Sequence, residues 1–335
     1  MSQIFDALQK SESERSGQES ALPQGAELLR RAERDAATKW EAKGPQAETA
    51  GIALENGSHG SETSNGAGGT HPSGPAVGTD ASGKPLSAVS DAGSAEERLA
   101  FFGKIQSLPV SIASEGRLVF LADRESPTSE AMRLLGVRLR DLRRIRPLKS
   151  VLITSSIPRE GKTTMSANLS CALAHGSEEK TLIIEGDVRI PALRQMFGVE
   201  SVPGLCEFVE QDRSLSDCIY HLEGAGVWLL PTGHAPSNPL EVLQSPKIPA
   251  MMDWLASCFD WIIIDSPPVL PLADTSIWMR LADGILMVVR QGTSEKQQLQ
   301  RGLEALEQKK LLGAVLNCAA TSAYSDYYYR SSAES

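Results

Sequence analysis

From Ser150 onward the chain alternates short apolar runs with longer stretches of helical spacing. Val151 to Ile153, Thr181 to Glu185, Val227 to Leu230, Trp261 to Asp265, Ile285 to Val289 and Ala314 to Leu316 read as strands. Between them, a helix opening at Lys162 with Ala167, Leu169, Cys171, Ala172 and Leu173 available for packing, and the stretches Lys247 to Cys258 and Glu295 to Lys310, read as helices. That order predicts an α/β fold: a mostly parallel sheet with helices on both faces, and ligands at the carboxyl ends of the strands.

Upstream, Leu99, Phe101, Phe102 and Ile105 suggest a short helix, and Leu118 to Leu121 a strand. Ser126-Pro127-Thr128-Ser129-Glu130 reads as a helix start. Met132, Leu135, Leu139 and Leu142 then line one face, while Arg133, Arg138, Arg140, Arg143, Arg144 and Arg146 crowd the rest. Such a face is either solvated or, in an acidic chain, a surface for self-association. Residues 1–43 hold short helical segments. The first carries Ile4, Phe5 and Leu8 behind a Ser2 cap and is too short to be stable alone, which suits a docking peptide. Residues 44–95 are dominated by Gly, Ser, Ala, Pro, Thr and Glu and cannot bury enough apolar area to order themselves, so a disordered linker is expected, with His59 and His71 solvated. Residues 96–318 would form the folded domain and 319–335 a flexible tail.

Composition narrows the function classes. A net charge of −9 argues against nucleic acid as the main partner. The five cysteines include no CxxC pair and read as small apolar filler in a reducing compartment. No run reaches the roughly 18 apolar residues of a membrane span, so a cytoplasmic chain that meets a membrane only through a partner is expected.

Chemistry concentrates at Ser156-Ile157-Pro158-Arg159-Glu160-Gly161-Lys162-Thr163-Thr164, a phosphate-binding loop between a strand and a helix whose first glycine is replaced by serine. Its amides and the positive helix end would face a triphosphate, Lys162 would reach the β- and γ-phosphates, and Thr163 would hold Mg²⁺. Two later strands end in carboxylates, Glu185-Gly186-Asp187-Val188-Arg189 and Asp265-Ser266-Pro267-Pro268. In a parallel sheet these emerge on the edge that carries the loop, where they can take up the metal.

Together with the segment Pro231-Thr232-Gly233-His234-Ala235-Pro236-Ser237-Asn238-Pro239-Leu240-Glu241, these motifs resemble the bacterial tyrosine kinases of capsular and exopolysaccharide biosynthesis. The likeness runs from about Leu118 to the C-terminus. The opening MSQIFDALQKSE is also similar to the start of family members that exist as separate cytoplasmic chains. The resemblance implies a P-loop NTPase-like fold, ATP and Mg²⁺ as cofactors, and site residues Ser156, Pro158, Arg159, Glu160, Gly161, Lys162, Thr163 and Thr164 around the nucleotide. It assigns Lys162, Glu185, Asp187 and Asp265 to catalysis and Thr163, Asp187 and Asp265 to the metal. It further implies a homo-oligomer, a membrane-embedded co-polymerase or activator as partner, and control of polysaccharide polymerisation or export at the inner face of the membrane. Three departures stand out. Arg159 takes a position where the family often has glycine, Glu185 replaces the first aspartate of the second motif, and Gly136 ends what would be a Glu130-x-x-Arg133-x-x-Arg oligomerisation motif, with Arg138 as its possible substitute. Which of Glu185 and Asp187 acts as base is open at this level.

Four of the five tyrosines, Tyr324, Tyr327, Tyr328 and Tyr329, fall in the last twelve residues. If the last strand is parallel to the first, the tail leaves from the ATP edge, and ten extended residues reach about 35 Å. Autophosphorylation of this cluster is the expectation. Two alternatives remain: a ParA/MinD-like switch ATPase, against which Ile157 stands where those proteins carry a signature lysine, and an inactive nucleotide-binding module.

Overall fold

The computed structural model describes residues 94–111, 117–270 and 273–318. The expectations for residues 1–43, for most of the 44–95 linker, and for the tyrosine tail at 319–335 lie outside them.

Elements follow in the order α1 (Ala95–Lys104), β1 (Gln106–Pro109), α2 (Val119–Ala122), α3 (Pro127–Ile145), β2 (Ser150–Ser155), α4 (Lys162–Ala174), β3 (Thr181–Glu185), α5 (Leu193–Met196) and α6 (Leu205–Glu210). Then come β4 (Tyr220–Glu223), β5 (Val227–Leu230), α7 (Pro239–Gln244), α8 (Lys247–Cys258), β6 (Trp261–Asp265), α9 (Asp274–Leu281), β7 (Gly284–Arg290), α10 (Lys296–Glu304) and β8 (Leu311–Asn317). The eight strands form one sheet in the order β1-β4-β5-β3-β6-β2-β7-β8. Every pair is parallel except the β4–β5 hairpin. The expected mostly parallel sheet is therefore present, with β2 at its interior and β8 at its edge.

Two apolar clusters cover the two faces. One joins α8 and α9 to Leu152, Ile262, Ile264 and Met287, and the other joins α3 and α4 to Val151, Ile153, Ile263 and Val288. Successive residues of β2 and β6 thus pack on opposite faces, which is why these strands are apolar throughout instead of alternating. Each fully buried Ile or Leu contributes about 2 kcal/mol. On α3, Ser126 caps the helix by accepting from the Ser129 amide at 3.2 Å, and Pro127 sets the first turn. Met132, Gly136 and Leu139 are buried, whereas Leu134, Val137 and Ile145 face outward. Gly136 sits opposite Leu173 of α4, so this position faces the interior, while Arg138 is exposed.

Three expectations need correction. The helix expected over Glu295 to Lys310 is shorter, Lys296–Glu304, and residues 305–310 turn into β8. Leu118 to Leu121 is not a strand. The amides of Leu121 and Ala122 bond to the Leu118 carbonyl, and that of Phe120 bonds to the Asn168 side chain at 2.9 Å, so a short helical turn buries Leu118 and Phe120 against α4. A four-residue apolar run has no period by which to tell the two apart. Nor are all five cysteines apolar filler: Cys171, Cys206, Cys218 and Cys258 are buried, but Cys318 is exposed. Burial pushes the thiols of Cys171, Cys206 and Cys218 up to about 12.

Candidate functional site

The parallel order brings the ends of β2, β3, β6 and β7 to one rim. Asp265 stands opposite Ile153 on one side and Glu185 on the other. The loop 156–161 closes over that rim and feeds α4, whose cap, Gly161, has φ +96° and no side chain to satisfy the first helical amides. An uncapped helix start of this kind is an anion site by construction.

Lys162 opens α4 and is buried. Burial lowers its pKa, while Asp265, Asp187 and Glu160 act to keep it charged. Asp265 is also buried, and loss of solvent raises its pKa to about 7. Hydrogen bonds from Thr163 and Ser166, the latter at 3.1 Å, and the charge of Lys162 work against that rise. Asp187 is only part-buried. Its pKa is raised by desolvation and opposed by the Ile190 amide, which it accepts at 3.1 Å, and by Lys162.

Glu185 sits differently. One carboxylate oxygen accepts from the amides of Leu193 at 2.6 Å and Arg194 at 3.3 Å, and the other from Thr232 at 2.9 Å. Its carboxylate is therefore held by three backbone donors, and its longer side chain ties β3 to the start of α5 and to the Pro231–Glu241 segment. Between the two acids, Gly186 packs so close to the Asp265 carbonyl and the Trp278 ring that a Cβ would lie 2.7–2.8 Å from them.

Around the loop, Glu160 turns inward. Its carboxylate accepts from the Ile157 amide at 3.0 Å, from the Arg290 amide at 3.4 Å and from the Ser294 hydroxyl, so its side chain braces the loop from beneath. Pro158 and Arg159 are exposed at the tip, and Thr163 and Thr164 are half-buried on the first turn. Arg159 has φ +66°, a left-handed conformation, which accounts for glycine being frequent at this position in the family it resembles. Ser156 replaces the first loop glycine, and its hydroxyl lies against Gly302 of α10, where a Cβ would approach it to 2.3 Å. Space removed at one position is thus restored at another.

Ser166, Gly302, Ser294, Arg290 and Asn317 escaped the sequence reading. Ser166 carried a signal, since it lies one turn after Lys162 on the same helical face. Asn317, the last residue of β8, donates from its side-chain amide to the Glu160 carbonyl at 2.9 Å and lies against Gly161. Because β8 is parallel to β7 and β7 to β2, the chain leaves the last strand at the loop itself.

The oxygen-only donors near Lys162, namely the Thr163 hydroxyl and the Asp187 and Asp265 carboxylates, suit a hard cation such as Mg²⁺. Among the described residues no three His, Cys, Asp or Glu side chains form a complete metal cage, so an ion held here would draw further oxygens from elsewhere, as from a triphosphate.

Comparison with known proteins follows the same lines. A family model described as an AAA domain matches residues 159–310. YwqD of Bacillus subtilis, named a tyrosine-protein kinase, is 32% identical over 214 residues, which are 63% of this chain and 90% of that protein. EpsB of Ralstonia nicotianae is 30% identical over 202 residues, 60% of this chain but 27% of EpsB, so longer relatives share only this portion. The solved kinase domain of the Escherichia coli tyrosine kinase ETK aligns with a TM-score of 0.58 at 27% identity, covering 62% of this chain and 81% of that one. With identity of this order along nine-tenths of YwqD, and an overall fold shared with the ETK kinase domain, the chain belongs to the bacterial tyrosine-protein kinase family.

Proposed function

We propose that the protein is an ATP- and Mg²⁺-dependent protein-tyrosine autokinase whose acceptors are Tyr324, Tyr327, Tyr328 and Tyr329. The observation that carries this reading is the contact between Asn317 and the phosphate loop: the residue from which the tail departs is hydrogen-bonded to Glu160, two positions before Lys162. Tyr327 lies nine residues beyond Cys318, a reach of at most about 32 Å, so a phenol can return to the rim of its own or a neighbouring chain.

In the reaction, a tyrosine O–H gives its proton to Asp187, the phenolate oxygen forms a bond to the γ-phosphorus of ATP, and the bond to the bridging oxygen breaks to leave ADP. Asp187 is assigned as the general base because it is part-open at the rim, whereas Glu185 is buried and held by three backbone amides. Lys162 and the amides at the start of α4 hold the charge on the transferring group. Thr163, Asp265 and Asp187 would hold Mg²⁺, which neutralises charge on the phosphates when bound. By family likeness the biological setting would be regulation of exopolysaccharide polymerisation or export. There the kinase works as a cytoplasmic homo-oligomer, brought to the inner face of the membrane by a membrane-embedded activator that Ile4, Phe5 and Leu8 dock. Among the described residues no helix is long and apolar enough to cross a membrane.

Intact-mass measurement after incubation with Mg-ATP tests the reaction. Up to four added phosphates on wild type and none on Lys162→Met are expected. Unmodified wild type, or equal modification of Lys162→Met, would overturn it.

A further inference from the structure

At the amino rim of the sheet, opposite the phosphate loop, a cleft of about 640 Å³ opens between the end of α3, the start of β2, the end of α8 and the turn into β7. Its charged lining is Arg143, Arg144, Arg146, Lys149 and one acid, Asp283. Arg143 is engaged by Glu179 at 3.2 Å and stacks on Trp261. The other three cations are poorly neutralised. Arg146 donates to the Asp283 backbone carbonyl at 2.7 Å and Lys149 to that of Ala256 at 2.6 Å, both uncharged partners. Arg144 faces solvent, with Asp141 at 3.4 Å as its exposed companion. Asp283 sets one negative charge against these three cations and is held in place, one carboxylate oxygen accepting from the amides of Lys149 and Ser150, each at 2.8 Å, and from the Ser150 hydroxyl at 3.0 Å. In a chain of net charge −9, this is a concave site with surplus positive charge and guanidinium groups suited to a phosphate.

We propose that this cleft binds the tyrosine-phosphorylated tail of the chain itself, residues 319–335. The proposal rests on the autokinase reading above and adds where its product goes. Three arguments select this occupant. The tail bears four phenols within six residues, and each phosphate adds about −1.5 to −2 charges, so modification creates a dense anionic ligand. Near Lys162 that ligand faces Asp187, Asp265 and the phosphates of ATP, which repel it, while at the amino rim it faces Arg144, Arg146 and Lys149. The length suffices: Tyr329 lies eleven residues past Cys318, a reach of at most about 40 Å, against about 23 Å for the length of β7 that separates the rims. Phosphorylation would thus convert the tail from substrate at one rim to ligand at the other, in the same chain or in a second copy.

Fluorescence anisotropy with a labelled synthetic peptide of residues 319–335, phosphorylated at Tyr327, Tyr328 and Tyr329, tests this against the full Lys162→Met chain. Binding at least tenfold tighter than for the unphosphorylated peptide is expected. It should weaken severalfold on Arg144→Glu, a change at a side chain that is 81% exposed and therefore tolerated by the fold, and further on adding Lys149→Gln. Equal binding of the two peptides, or phosphopeptide affinity untouched by Arg144→Glu with Lys149→Gln, would overturn the proposal. So would failure of the phosphopeptide to bind while vesicles of 30% phosphatidylserine capture the protein through Arg144, which would make the cleft a membrane contact. Since the peptide is synthetic, a failure here leaves the autokinase reading standing, and a failure of autophosphorylation leaves this binding measurable.

Discussion

At the carboxyl rim of the sheet three acids are buried and closely held: Glu160 and Glu185 by backbone amides, and Asp265 by Thr163, Ser166 and the charge of Lys162. At the amino rim, Arg144, Arg146 and Lys149 stand in an open cleft on neutral carbonyls or in solvent. Enclosure makes the first rim a place where small changes in protonation or position alter chemistry, because unscreened charges interact strongly. Openness makes the second a place where charge is available to a partner and is sensitive to salt.

The largest expected effect lies at the first rim. Asp187→Asn should lower kcat for tyrosine phosphorylation at least a hundredfold, while nucleotide binding followed by calorimetry changes severalfold at most. Glu185→Gln should instead lower stability by about 2 kcal/mol in urea titration, since an amide NH₂ would be turned on a backbone donor. If the two variants exchanged these phenotypes, the division of roles between the acids would be reversed.

Next is the packing of the loop against α10. Gly302→Ala drives a methyl into Ser156, at a cost of about 2 kcal/mol in melting or denaturant experiments. Adding Ser156→Gly should recover most of that loss, and simple additivity of the two changes would show that the contact is unimportant.

The third prediction uses pH. Asp265 has its folded pKa raised to about 7 against an ordinary value of 3.8. Between these values the folded state binds the extra proton, so this group's contribution to stability is greatest below about pH 4, is lost as pH rises toward 7, and then levels. Asp265→Asn removes that loss. Without nucleotide it should be more stable than wild type at pH 8, by about 4 kcal/mol, and no more stable at pH 4. A gain that is equal at both pH values would contradict the assignment of the buried charge.

The smallest effect is at Arg159. Its left-handed backbone should be relieved by Arg159→Gly, with a stability change of under about 1 kcal/mol, in the stabilising direction. A clear loss would mean that the arginine side chain itself holds the loop tip in place, since the backbone carbonyl of residue 159, which accepts from the Arg290 guanidinium at 3.4 Å, is kept in the variant.

The carboxyl rim was largely legible in the sequence. Trp261–Asp265 and Lys247–Cys258 were bounded to the residue because fully apolar strands and amphipathic helices announce themselves, and the loop and its two acids follow from motif and strand order. What escaped was set by tertiary contact. β1 and β4 are short, with exposed or polar positions that carry no strand pattern. Gly302 matters only because α10 lies on Ser156, and Asn317 only because β8 ends on the loop. Glu185 could not be separated from Asp187 by sequence, since the difference lies in the amides of Leu193, Arg194 and Thr232, which are remote from it along the chain. The basic residues of α3 were visible as a charged face, but the cleft they line requires α8 and the turn before β7 to meet them.

The central claim is that the chain's last strand delivers its tyrosines to the rim that holds Lys162. Phosphosite mapping by tandem mass spectrometry of purified wild type beside Lys162→Met, both after Mg-ATP, tests it most directly. The account predicts phosphate on Tyr324, Tyr327, Tyr328 or Tyr329 in wild type and on none of them in the variant. Phosphate confined to residues outside the tail, or an unmodified wild type that still hydrolyses ATP, would contradict it.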